Sequence, residues 1–137
     1  MPTNGNGGEI MLKEAVICIV IVIGIFGLEI FTQNFTSRTV SEITEMFSKV
    51  EESIAKKDID KINEEIKIIG DKWEEEQKKL AYYIEHDELE KVHTAIVKMK
   101  SYIETENFSE AMAELEEGKF VIEHIQEKNS FNLQNIF

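Results

Sequence analysis

Proline occurs once in this sequence, at residue 2, and cysteine once, at residue 18. A single cysteine cannot form an intrachain disulfide, so a small scaffold stapled by disulfides is excluded. Cys18 lies inside an apolar run and lacks the setting of a bacterial lipoprotein cysteine, so it reads as a small hydrophobe. Glycine is scarce as well, with seven residues, four of them before residue 25. A chain so poor in breakers, and rich in Glu, Lys and Ile, predicts an all-α fold. Basic residues are also outnumbered, 15 against 27 acidic, for a formal net charge of −12. Three of the acidic residues and one of the basic ones precede residue 32, which leaves −10 on the remainder. Nucleic-acid binding needs a basic surface to replace phosphate counterions, and none is available. Anionic lipid headgroups are repelled by the same charge, which mainly keeps the surface solvated.

The motifs of catalysis are missing too. The sequence contains no Gly-rich phosphate loop, no nucleophile elbow and no Cys or His pair at zinc spacing. Ser and Thr residues are few and stand at no suggestive distance from His. A protein without catalysis, and without a cofactor, is the expectation.

What is present begins with AVICIVIVIGIFGLEIF, residues 15 to 31. The uncharged part, Ala15 to Leu28, spans roughly 21 Å as a helix, short of the ~30 Å hydrocarbon core. Extended to Met11 and Phe31 it reaches about 31 Å. Lys13, Glu14 and Glu29 then sit near the edges, where a charge costs far less than at the bilayer centre. The run is apolar all round, and a domain this small has little interior to surround such a helix. LEIFTQNFTSR offers no A-x-A-like cleavage site, so an uncleaved signal anchor over 11–31 is preferred to a cleaved signal. Lys13 is the only basic residue before the run and Arg38 the first after it. An anchor of this kind leaves its N-terminus in the cytoplasm and its C-terminal bulk outside, as a single-pass protein of the cell membrane. Residues 1–10 read as a flexible tail. Gly7-Gly8-Glu9-Ile10-Met11 back-translates to a purine-rich GGAGG ahead of an ATG, so translation is expected to start at Met11.

Beyond the anchor, apolar residues recur at alternating steps of three and four. The series Val40, Ile43, Phe47, Val50, Ile54 is followed by series opening at Ile59, Leu89 and Phe108, with Trp73 in core register. This is the seam of helices packed side by side. IAKKDIDKINEEI (54–66), IEHDELEKVHTAI (84–96) and IETENFSEAMAEL (103–115) share a pattern read as a helix end, a tight turn and a new helix. Asp58, Asp87 or Glu88, and Asn107 are the candidate N-caps. Short turns give antiparallel neighbours. The prediction is an up-down array of four helices over 38–57, 59–85, 87–104 and 108–127, as a closed bundle or as stacked hairpins. The domain as a whole covers 37–137. Phe131, Leu133, Ile136 and Phe137 are expected to fold back over its open end.

Two constellations carry possible chemistry. Glu90 and His93 form one E-x-x-H, but a di-iron site needs two such motifs and two further carboxylates. If the start of the third helix lies beside the end of the fourth, His86, Asp87, Glu123 and His124 gather at one end as candidate metal ligands. The simpler reading has His86 and Asp87 turning the chain and His124 complementing a helix dipole. Trp73 and the Tyr82-Tyr83 pair could line a ligand groove, though the register of Trp73 favours the core.

Trp73, YIEHDELEKV, AELEEGKFVIEHIQEK and the closing NLQNIF, behind an apolar N-terminal anchor, resemble a family of short anchored helical proteins of Firmicutes, chiefly clostridia, known as a domain of unknown function. The likeness covers residues 11–137, with Gln126 standing where members often have proline. It implies a bacterial origin and membrane anchoring and supplies no catalytic residues. Together these readings predict an extracytoplasmic, membrane-tethered helical module that binds another protein or itself. The alternative is a metal or small-ligand carrier using the His86/His124 end.

Overall fold

The computed structural model describes residues 5 to 134, with side chains from 6 to 130. The fold is all-α: α1 (Gly5–Ala55), α2 (Ile59–Leu80), α3 (His86–Glu104) and α4 (Phe108–Gln134), with no strand among the described residues. The expected anchor and the first helix of the array are one helix. Nothing in FTQNFTSR, residues 31–38, breaks it, and the Thr32 hydroxyl donates to the Glu29 carbonyl at 3.0 Å within the helix. Helix α1 already begins at Gly5, inside the segment read as a tail, and residues 1–4 lie outside the described residues.

The chain divides into two compact units, Met1–Asn34 and Phe35–Phe137. In the first, an 18-residue window of mean hydropathy 2.7 has none of its residues buried. It is the one helix among the described residues long and apolar enough to cross a membrane.

The second unit is a four-helix bundle. Val40, Ile43, Phe47, Val50 and Ile54 of α1 are all buried, as the three-four spacing predicts. They join Ile62, Ile69, Trp73 and Leu80 of α2, Val92 and Met99 of α3, and Leu115, Ile122 and Ile125 of α4 in one core. Each such side chain stabilises the fold by about 1.5–3 kcal/mol relative to exposure. Polar contacts close the ring. Ser53 donates to Glu65 (2.6 Å) and Lys72 meets Glu42 (3.2 Å) between α1 and α2. Lys98 meets Glu114 (3.5 Å) between α3 and α4, and Lys119 meets Glu51 (3.2 Å) between α4 and α1. Helices α2 and α3 also pack together. These contacts fit the closed-bundle form of the array. At Gly118, α4 packs tightly against its neighbours. A Cβ there would stand 2.7 Å from the Phe47 ring and 3.4 Å from the Ala95 methyl.

The corners agree with the sequence pattern at two places of three. After α1, Lys57 has φ 55°, its N–H donates to the Ile54 carbonyl (3.0 Å), and Asp58 N–H donates to the Ser53 carbonyl (3.2 Å). After α3, Glu106 has φ 57°, with the same pair of bonds to Ile103 (3.0 Å) and from Asn107 to Tyr102 (2.7 Å). Both are Schellman closures with a left-handed residue that is not glycine. Asp58 then caps α2 as expected, its carboxylate accepting from Lys61 N–H at 3.2 Å. The middle corner differs. Helix α2 stops at Leu80 instead of 85, and the turn is closed by Ile84 N–H to the Leu80 carbonyl at 2.9 Å. Helix α3 starts at His86 behind Glu85, so neither Asp87 nor Glu88 is the cap. Both fall in the first turn, where their charge complements the helix dipole, and this favours the earlier start.

Helix α4 runs to Gln134, seven residues past its expected end, because NSFNLQ holds no breaker. The side chains expected to fold back over the bundle, from Phe131 to Phe137, lie outside the described ones.

Candidate functional site

His86 opens α3 with a side chain 84% exposed, its Nε2 3.8 Å from Glu90 Oε2 on the same helix. Asp87 is exposed and lines an open groove of about 320 Å³ between α3 and α4, with Glu90, Lys91, Lys98, Glu114 and Glu117. Glu123 and His124 are exposed on α4, where His124 stacks on Phe120 with ring centres 6.4 Å apart and planes 7° apart.

These four candidate ligands do not gather as expected. Among the described residues no three His, Cys, Asp or Glu side chains come together to hold a metal ion. The reason lies in the helix register. Ile122 and Ile125 take the core positions, which turns the intervening Glu123 and His124 outward. The residue of α4 that meets the first turn of α3 is Lys128, at 3.1 Å from Glu85 and 3.6 Å from Glu88. That ion pair, not an imidazole pair, ties this end of the bundle. Hydrogen bonding to Glu85 is the main cause that holds the Lys128 ammonium above its ordinary pKa, with the charges of Glu85 and Glu88 adding to it.

His93 and Glu90 face an open groove of about 350 Å³ between α2 and α3, which Gln77, Lys78 and His86 also line. Trp73 is completely buried, as its register predicts, so it lines no groove. Tyr82 is 90% exposed, while the Tyr83 hydroxyl shares a 2.9 Å hydrogen bond with Thr36 of α1. Burial pushes the Tyr83 hydroxyl above its ordinary pKa; the Thr36 bond opposes this and the Glu76 charge reinforces it.

Sequence reasoning passed over the polar knot around Glu76. In the sequence Glu76 stands simply as a polar residue between Trp73 and Leu80 of α2. The Glu76 side chain is 4% exposed, and its Oε1 lies 3.0 Å from Lys72 Nζ and 3.2 Å from Lys79 Nζ. Lys72 reaches across to Glu42 of α1 as well, at 3.2 Å. Hydrogen bonds to Glu76 and Glu42 hold the Lys72 ammonium above its ordinary pKa. Lysines at i−4 and i+3 of a buried glutamate were the available signal. Glu76 is thus held by two lysines of its own helix, and Lys72 links that pair to α1 through Glu42.

Residues 30–136 match a family model described as Domain of unknown function (DUF4363). No curated protein and no solved structure matches the chain. The matched range takes in the whole bundle and leaves most of the apolar run outside, a narrower span than the 11–137 expected from the resemblance. The chain belongs to this family.

Proposed function

We propose that this chain is a single-pass membrane protein, anchored by residues 11–31, whose helical domain works outside the cytoplasm as a binding module for another protein, without catalysis. The observation that carries this reading is the uncovered apolar surface of residues 10–31. Ile17, Ile19, Val20, Ile21 and Ile25 point in different directions around the helix, and each is more than half exposed. Apolar surface of this extent on a water-soluble chain is unfavourable by about 25 cal/mol per Å². A lipid bilayer relieves it, and the helical backbone satisfies its own hydrogen bonds there. Lys13, Glu14 and Glu29 fall near the ends of the segment, where ions are tolerated.

Binding, as opposed to chemistry, is supported by the bundle itself. Its core is dominated by Phe47, Trp73 and aliphatic side chains and its grooves are open, which supports a domain that acts through its outer surface. The orientation is tested by fusing to Phe137 a reporter enzyme active only outside the cytoplasm. Activity is expected, with a cytoplasm-only reporter silent at the same position. The reverse pattern overturns the extracytoplasmic reading.

A further inference from the structure

The outward face of α4 carries its charge differently from the outward face of α2. On α2, Asp71, Glu74 and Glu75 are each paired with a lysine four residues away. On α4, Glu116, Glu117, Glu123 and Glu127 are all exposed, and none belongs to an ion pair among the described residues. The residues four positions from Glu116 and Glu117 are Met112, Phe120, Ala113 and Val121, which carry no charge. Lys119, one turn before Glu123, is turned to Glu51 of α1, and Lys128 is held by Glu85 and Glu88. The negative charge of this face is left uncompensated.

Within that face stands Phe120, 71% exposed. It shares the stripe 116, 120, 123, 127, whose steps of four and three follow one side of a helix. The His124 ring lies parallel to it, with ring centres 6.4 Å apart. A phenylalanine in this position can gain most of its transfer free energy only when something covers it. The surrounding carboxylates decide what that can be. A second copy would bring the same acidic face, and anionic lipid would be repelled likewise. Lysine or arginine around an apolar side chain matches both the charge and the ring.

We infer that the outer face of α4, centred on Phe120 and His124, is the docking surface for a cationic segment of another protein that presents an apolar side chain between basic ones. This rests on the reading of the domain as a binding module and is independent of the anchor. Phe120 is the anchor contact, because exposed aromatic residues dominate binding energy when covered. The four glutamates speed encounter and select against acidic partners.

The test uses the full chain in detergent micelles, isotopically labelled, with a synthetic peptide holding one tryptophan flanked on both sides by lysines. A second peptide has glutamates in place of the lysines. Amide shifts are expected along residues 113–127 with the lysine peptide and not with the acidic one. Phe120→Ala should weaken binding about tenfold or more. Glu116→Gln with Glu123→Gln and Glu127→Gln should weaken it and flatten its salt dependence. Because these side chains are exposed, the melting temperature of each variant should stay within a degree or so of the parent. Binding unchanged by Phe120→Ala overturns the inference, as do shifts spread equally over α2 or no binding at all. Shifts concentrated on another face remove α4 as the surface while leaving a binding module in place.

Discussion

Residues 10–31 and 36–54 belong to the same helix and differ in almost everything else. In the first stretch the large apolar side chains other than the half-buried Phe26 are exposed, from 49% at Val22 to 71% at Met11. In the second, Val40, Ile43, Phe47, Val50 and Ile54 are at most 7% exposed, while Ser41, Glu45, Ser48, Lys49 and Glu52 between them face outward. Helical geometry is common to both, so the difference lies in what covers the apolar atoms. Periodicity marks a surface that other helices of this chain cover. A run without periodicity marks a surface that the chain itself does not cover.

The contrast can be broken most forcefully by truncating side chains on either side of it. Phe47→Ala should destabilise the bundle by about 3–5 kcal/mol, as should Trp73→Ala, measured by denaturant unfolding. Ile21→Ala should leave that midpoint where it is. Equal losses at both places would mean that residues 10–31 are packed within the protein. At Gly118 a smaller effect is expected. The methyl of Gly118→Ala meets the Phe47 ring, a rigid core group, so the substitution should cost about 1–3 kcal/mol despite the better helix propensity of alanine. A neutral or stabilising result would show that α1 and α4 are less closely apposed than here.

The smallest effect sharpens the comparison between corners. Lys57 and Glu106 adopt left-handed backbone angles that cost an L side chain roughly 1 kcal/mol. Lys57→Gly and Glu106→Gly should therefore each raise stability by about 0.5–1 kcal/mol. Glycine in the middle corner, at Tyr83, should lower it, since no left-handed residue occurs there and the hydroxyl bond to Thr36 is lost.

Much of this was legible in the residues. Steps of three and four placed most of the core, and Trp73 with it, because burial enforces the period, although Ile59 at the start of α2 is exposed. The Ile-x-x-x-acid/Asn pattern located the first and third corners, where a short turn is closed by local backbone bonds. At Ile84 the same letters misled. The helix break comes four residues earlier, since Leu80 and Leu89 must both reach the core and the acidic residues after Glu85 favour helix. The candidate site was far less legible. Proximity of His86 and His124 was argued from helix ends, but which side of α4 faces inward is set by Ile122 and Ile125. One residue of rotation separates a ligand from a solvated side chain. The buried Glu76 escaped notice because its lysine partners look like ordinary surface charge in the sequence.

The central claim, that residues 11–31 hold the chain in a membrane, meets its most direct test in membranes from cells producing the full chain. Alkaline carbonate strips peripheral proteins, and detergent releases embedded ones. The chain should stay in the carbonate pellet and leave it only with detergent. Ile21→Arg, which opposes insertion by about 2.5–3.5 kcal/mol, should shift part of it to the supernatant without changing the melting of the bundle. Release of the parent chain by carbonate alone would contradict the account.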